Sequence, residues 1–244
     1  MFEQFTTVQL VLVAILFVWT GFVRTGIGFG GAALGLPVLL LVHDRPIDWL
    51  PVIGAHLLFF SALTLRTRLR DVDWGYLKRS SYWIVPAALV GVFGLLNLPN
   101  EWLLVFIYSV TLFYAVIWVM DWAIFSHSDK VDRVLLLVGG YVAGTSLTGA
   151  PFLVAVYLRH VPRQQLRNTL FVLWFVLVSI KMSTFAALGV DLHLREAALL
   201  IPVAAIGHVL GLKAHDWLMR DDRLFKRAIG AVLILISSIG LWRI

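Results

Sequence analysis

The sequence predicts an all-α polytopic membrane protein. We read one membrane domain made of two inverted repeats, residues 1–125 and 126–244, with five hydrophobic segments each and re-entrant or broken helices at two Gly-rich motifs. Three observations predict this. Apolar residues fill 60% of the 244 positions and charged residues only 14%, against about 45–50% and about 25% in soluble domains. The apolar residues fall into ten runs, five in each half. Finally, the stretch Gly21–Pro37, GFVRTGIGFGGAALGLP, returns in weaker form at Gly140–Pro151, GYVAGTSLTGAP. The two align at an offset of 119, with Gly21 over Gly140, Val23 over Val142 and Gly30 over Gly149.

In chain order the runs are Val8–Val23, Gly28–Val42, Trp49–Leu65, Tyr82–Leu96, Trp102–Ala123, Val131–Ala143, Thr148–Leu158, Asn168–Leu188, Glu196–Ala214 and Phe225–Trp242. Connections are short except Arg66–Arg79 and Asp216–Arg227. Thr148–Leu158 has 11 residues, about 16 Å as a helix against about 30 Å of hydrocarbon. It cannot span alone. Segments six and seven therefore read as a re-entrant hairpin from the cytoplasm, with its tip near Thr145–Gly149. Pseudo-symmetry predicts that segments one and two enter from outside, with their tip near Arg24–Gly30. Segment one is long enough to cross, so full crossings are the alternative. Trp49, Trp74, Trp83, Trp102, Trp122, Trp217 and Trp242 lie near segment ends, where an interfacial belt is expected.

Orientation follows from charge. With the N-terminus outside, fifteen of the twenty Lys and Arg fall in cytoplasmic connections and only Arg45, Arg195 and Arg243 outside. That is a strong positive-inside bias, and it places the C-terminus outside too. The net charge of +6 then reads as loops beside anionic lipid, with no nucleic-acid partner. The start MFEQFTT lacks the basic region of a signal peptide, so the first segment is expected to be retained. An odd number of segments per repeat inverts the second copy, an arrangement common in secondary transporters.

The tips hold the first candidate residues. Helices restarting after Gly28–Gly31 and Thr148–Gly149 would aim unsatisfied N–H groups at a gap, and such ends attract anions. Gly28, Gly30 and Gly149 permit close approach, while Thr25, Ser146 and Thr148 add hydroxyl donors. The alternative is that these small residues let helices pack closely. Arg24, in a re-entrant hairpin, would place near mid-membrane a guanidinium needing an anion or a water cavity, and its planar fork suits an oxyanion. If both segments cross, Arg24 is a cytoplasmic loop charge.

Lys181 lies mid-segment in VLVSIKMSTF with no acid within a helical turn. It either binds an anion, carries a proton, or snorkels to the interface. His56 and His208 are embedded imidazoles, either proton relays or packing residues. Arg167 and Asn168 open segment eight and are placed facing the second tip; Trp174, inside that segment, is placed along the path. The sequence has no cysteine, no His-Glu-x-x-His, no Walker Gly-Lys-Ser/Thr and no Gly-x-Ser-x-Gly. No enzyme, metal or cofactor is therefore expected. The segments carry almost no carboxylate, which favours an anion path over a cation path.

The runs GFVRTGIGFGGAALGLPVLLL and GYVAGTSLTGAPFLVAVYL, the latter followed by LRNTLFVLWF, resemble the sulfite exporter TauE/SafE family, also called the toluene sulfonate uptake permease family. The resemblance extends over essentially the whole chain. It implies a bacterial or archaeal inner-membrane permease that moves sulfite or organosulfonates such as sulfoacetate and has no enzymatic activity. Gly149-Ala150-Pro151 departs from the family's usual double proline. The expected mechanism is alternating access. The oxyanion sits between the tips near the midplane, held by backbone N–H groups, hydroxyls, and Arg24 or Lys181. An anion channel is one alternative; a permease for another small organic anion, driving uptake with protons through His56 or His208, is another. The expected partners are the small anion and the bilayer, with homo-oligomerisation left open.

Overall fold

The computed structural model describes residues 1–27, 31–66, 68–122, 124–218 and 222–244, with side chains at all of these except 26–27, 215–218 and 222–225. The described residues contain ten α-helices and no strand: α1 (Thr7–Ile27), α2 (Gly31–Val42), α3 (Pro46–Leu65), α4 (Trp74–Asn97), α5 (Asn100–Val119), α6 (Asp129–Ser146), α7 (Ala150–His160), α8 (Arg163–Ala187), α9 (Leu194–Leu218) and α10 (Asp222–Trp242). Short 3-10 turns occupy Phe2–Gln4 and Leu69–Asp71. Each expected apolar run contains one of these helices or most of one. Within α1, α3, α4, α5, α8 and α9 the apolar stretches are long enough to cross a membrane, so the chain is a multi-pass membrane protein. By contrast α2 and α7, with 12 and 11 residues, reach only about 18 and 16 Å.

Several helices start earlier than the apolar runs indicate. The reason is capping. Asp73 Oδ1 accepts from Tyr76 N at 2.9 Å, so α4 opens at Trp74 rather than Tyr82 and takes up part of the expected Arg66–Arg79 connection. Ser128 caps α6 through Val131 N, and Pro162 precedes α8, which opens at Arg163 rather than Asn168. The long polar connection expected over Asp216–Arg227 shrinks likewise, because α9 runs to Leu218 and α10 begins at Asp222.

The helices form two compact units. One comprises Met1–Leu50, Leu98–Ala123 and His193–Ile244, and the other Pro51–Asn97 and Ile124–Leu192. Each draws helices from both halves of the chain. In the first unit α1 runs along α9, α2 folds back on α1, and α10 packs on α5 and α2. Val23, Leu34, Ala115, Ile229 and Leu233 form a core there, flanked by Trp19, Phe22 and Trp118. In the second unit α6 runs along α4, α7 folds back on α6, and α8 packs on α4.

Glycines set the spacing within both units. A Cβ on Gly207 would overlap the Val18 carbonyl oxygen, and one on Gly21 would overlap that of Ala204, which fixes α1 against α9. In the second unit Cβ atoms on Gly144 and Gly91 would overlap the carbonyl oxygens of Ala88 and Tyr141. Small residues allow this backbone approach where lipid supplies no hydrophobic drive for helix association. Among the expected belt tryptophans, Trp74, Trp83, Trp102, Trp122 and Trp242 are exposed, and the Trp217 side chain lies outside the described residues. Trp49 is the exception. It is fully buried and its indole N–H donates to His43 O at 2.9 Å, a bond that replaces the interfacial water it would otherwise need.

Candidate functional site

In the first unit the last turn of α1 carries Arg24 and Thr25. Both are buried inside an otherwise apolar helix, Arg24 at 7% exposure. The start of α2 returns directly onto this turn. A Cβ on Gly31 would stand 2.9 Å from Arg24 Cβ, and one on Gly35 would overlap Thr20 Cγ2. Thus α1 and α2 form a hairpin whose near end presents a buried guanidinium beside a buried hydroxyl. Thr25 Oγ1 lies 2.6 Å from His208 Nδ1 on α9. The fold thereby joins two candidates that lie 183 positions apart. Gly28 and Gly30, expected to line this tip, lie outside the described residues.

The second unit holds the other hairpin. α6 stops at Leu147, a buried residue in the left-handed region at φ 61°, whose N–H donates to Ala143 O. For a bulky side chain this conformation costs about 1–2 kcal/mol, and such strain clusters at functional sites. The turn continues through Thr148 and Gly149 into α7. Thr145, Ser146 and Thr148 are fully buried. Ser146 Oγ lies 3.0 Å from the Val142 carbonyl oxygen and 2.6 Å from Thr148 Oγ1. A Cβ on Gly149 would overlap the Gly139 carbonyl oxygen, so this glycine also serves the close packing of α6 on α7. No side chain caps α7, and its first residue, Ala150, is buried. A helix N-terminus of this kind exposes N–H groups that need an acceptor.

On α8, Lys181 is 1% exposed, and its Nζ has no hydrogen-bond partner among the described residues. Trp174 is buried seven residues earlier, on the same helix face at 100° per residue. Asn168 is only half-buried and Arg167 is exposed, its guanidinium 5.6 Å from the Phe171 ring centre. The buried polar residue at this end is instead Thr169, which accepts from Asp73 N at 2.9 Å and donates to Gln165 O at 2.8 Å. His56 is buried in the second unit with its ring 6.3 Å from that of Phe60.

The foot of the α6–α7 hairpin contains a polar cluster that sequence reading did not single out. Asp132 Oδ2 pairs with Arg159 Nη1 and His160 Nε2, both at 2.7 Å, and Asp132 also accepts from Ser126 Oγ. His160 stacks on Tyr76 at 4.8 Å, and Tyr157 hydrogen-bonds Ser80 at 2.6 Å. A small cavity of about 110 Å³ opens beside this cluster. The available signal was an acid opening α6 facing an Arg-His pair closing α7. Among the described residues no group of acids, histidines or cysteines could hold a metal.

Among the described residues, six helices long and apolar enough to cross a membrane define a polytopic membrane protein. The sulfite exporter TauE/SafE family matches the chain over residues 12–239. The chain belongs to that family. No curated protein and no solved structure matches the chain.

Proposed function

We propose that the protein is a secondary carrier that moves sulfite or a small organosulfonate, such as sulfoacetate, across a bacterial inner membrane, with both termini outside. The charge inventory of its interior carries this reading. Among the described residues the buried cations are Arg24 and Lys181, and the one buried acid is Asp132. Arg159 and His160 already engage that acid. On α8 the buried Lys181 Nζ has no hydrogen-bond partner among the described residues, and a basic group so embedded calls for an anion or a water-filled cavity.

Recognition belongs to the two hairpins. Arg24 and Thr25 serve at one, and Ser146, Thr148 and the uncapped start of α7 at the other, with Gly28, Gly30, Gly149, Asn168, Trp174 and Lys181 as further contacts. The short α2 and α7 support re-entrant hairpins. Helix boundaries that recur after 119 residues support two repeats of five helices, and the odd number supports inversion and alternating access. An inside-negative potential favours exit by about 2.3 kcal/mol per charge per 100 mV, so export needs no coupling ion.

Flux of labelled sulfite, sulfoacetate and taurine in proteoliposomes at imposed potentials tests this. The expected result is saturable flux of at least one anion, accelerated by substrate on the far side, rising with potential and lost in Arg24→Ala or Lys181→Ala. Unsaturable flux would make the protein a channel. If none of the three moves, the substrate class is wrong.

A further inference from the structure

We infer that His208 sets the direction of the Thr25 hydroxyl and so makes anion binding at the α1 tip depend on a proton. The inference rests on the anion reading above and assigns a positioning role to His208. At 2.6 Å between Thr25 Oγ1 and His208 Nδ1, one proton lies between the two atoms. When Nδ1 is bare, the Thr25 hydroxyl donates into the ring. Its remaining lone pairs then face the tip and repel an anion. When the ring is an imidazolium, Nδ1–H donates to Oγ1, and the hydroxyl proton turns outward as a donor. The neutral Nδ1–H tautomer frees the same donor but adds no charge. An incoming anion therefore selects the imidazolium, which supplies donor and positive charge together.

The surroundings hold this geometry. Gly207, next to His208, is packed against the Val18 carbonyl and Phe22 N, and Gly21 approaches the His208 backbone. The backbones are therefore too close for the pair to slide apart. Charged groups on the helices packed at the pair are placed as follows. Arg24 is the one titratable residue on α1, and α2, packed on α1, has none. On α9 itself, Arg195 and Glu196 lie at the far start of the helix, and Glu196 is paired with the Met1 amino group at 3.0 Å. Lys213 is exposed and sits about 140° around the helix from His208; the side chains of His215 and Asp216 lie outside the described residues. The imidazolium brings a positive charge and frees the Thr25 hydroxyl as a donor, so proton and anion promote each other's binding. Of the two embedded histidines, this singles out His208 over His56.

The test is binding of sulfoacetate to the full chain in nanodiscs across pH. Both acid groups of sulfoacetate stay ionised there, so any pH dependence belongs to the protein. Affinity should fall as pH rises, by up to about tenfold per pH unit where one proton is taken up with the anion. Thr25→Ser should keep that slope. Thr25→Val and His208→Gln should flatten it to about twofold or less. A purely structural role for His208 would lower affinity equally at every pH; an unchanged slope in His208→Gln overturns the relay. The reciprocal effect is measurable in the unmutated protein. Saturating sulfoacetate should raise the titration midpoint of one histidine in ¹⁵N NMR, and no movement overturns the relay even if the variants fail to fold. If sulfoacetate and sulfite neither bind nor move, the anion reading falls and takes the relay with it. If they bind with a slope that survives His208→Gln, the relay alone falls.

Discussion

Lys181→Met separates a functional lysine from a structural one, because the two roles predict opposite signs in stability. Lys181 is almost wholly buried, and its Nζ has no hydrogen-bond partner among the described residues. A desolvated amine in that state is a standing cost to the empty protein. Methionine keeps the unbranched stem and nearly the same volume, so no cavity opens. Replacing buried charge with a well-packed apolar group of similar size stabilises by about 1–4 kcal/mol. For a chain of this length that is about 2–4 °C in Tm per kcal/mol. Transport should move the other way. A hydrogen bond to a charged group contributes about 1.5–3 kcal/mol, so its loss weakens apparent affinity by about 10- to 150-fold. Thermal unfolding in detergent and sulfoacetate uptake in proteoliposomes, on the same preparation, read both signs. A Lys181→Met protein that melts lower than wild type and transports normally would refute the reasoning.

Gly207→Ala should cost about 1–3 kcal/mol, because its Cβ would overlap the Val18 carbonyl. Gly75→Ala meets only an ordinary 3.4 Å contact with Asp73 Oδ1 and should stabilise by about 0.4–1 kcal/mol; thermal unfolding of the two variants should show opposite shifts. Asp132→Asn removes the ion pair to Arg159 and weakens the hydrogen bond with His160 at the foot of the second hairpin. Arg159 is about a third exposed and can rehydrate, so the expected cost is about 1–3 kcal/mol. A double-mutant cycle with Arg159→Gln isolates the pair.

The existence and number of the helices were legible because each apolar run is bounded by polar residues and one was too short to span. Their starts were not, because after Asp73, Ser128 and Pro162 the helix begins before the first apolar residue, and hydropathy does not register that. The compact units were hidden as well. Packing draws each compact unit from both halves of the chain, and contacts between segments so far apart leave no local pattern. At the candidate site, burial of Arg24, Thr25, Ser146, Thr148, Trp174 and Lys181 could be anticipated because each interrupts or lies within an apolar run. The half-buried Asn168 beside the buried Thr169 could not. One residue turns the helix by 100°, and in LRNTLF the neighbouring side chains do not say which way α8 faces. The Thr25–His208 bond joins residues too far apart for any local pattern to report.

The 119-residue offset does more than align glycines. α1 ends at Ile27 and α6 at Ser146; α2 begins at Gly31 and α7 at Ala150. In one unit α1 packs on α9, and in the other α6 packs on α4, so each pairs the first helix of one half with the fourth of the other. The two joints are chemically alike at one point. Gly21 makes room for the Ala204 carbonyl, and Gly140, 119 positions later, makes room for that of Ile84. They differ at another. The positions matching Thr25 and His208 are Gly144 and Leu89. Where one joint holds a hydroxyl–imidazole bond, the other has a glycine pressed onto a neighbouring backbone, and neither Gly144 nor Leu89 can exchange a proton. On the reading proposed above, a proton dependence built on this pair belongs to the α1 hairpin, because the matching positions Gly144 and Leu89 carry no titratable side chain.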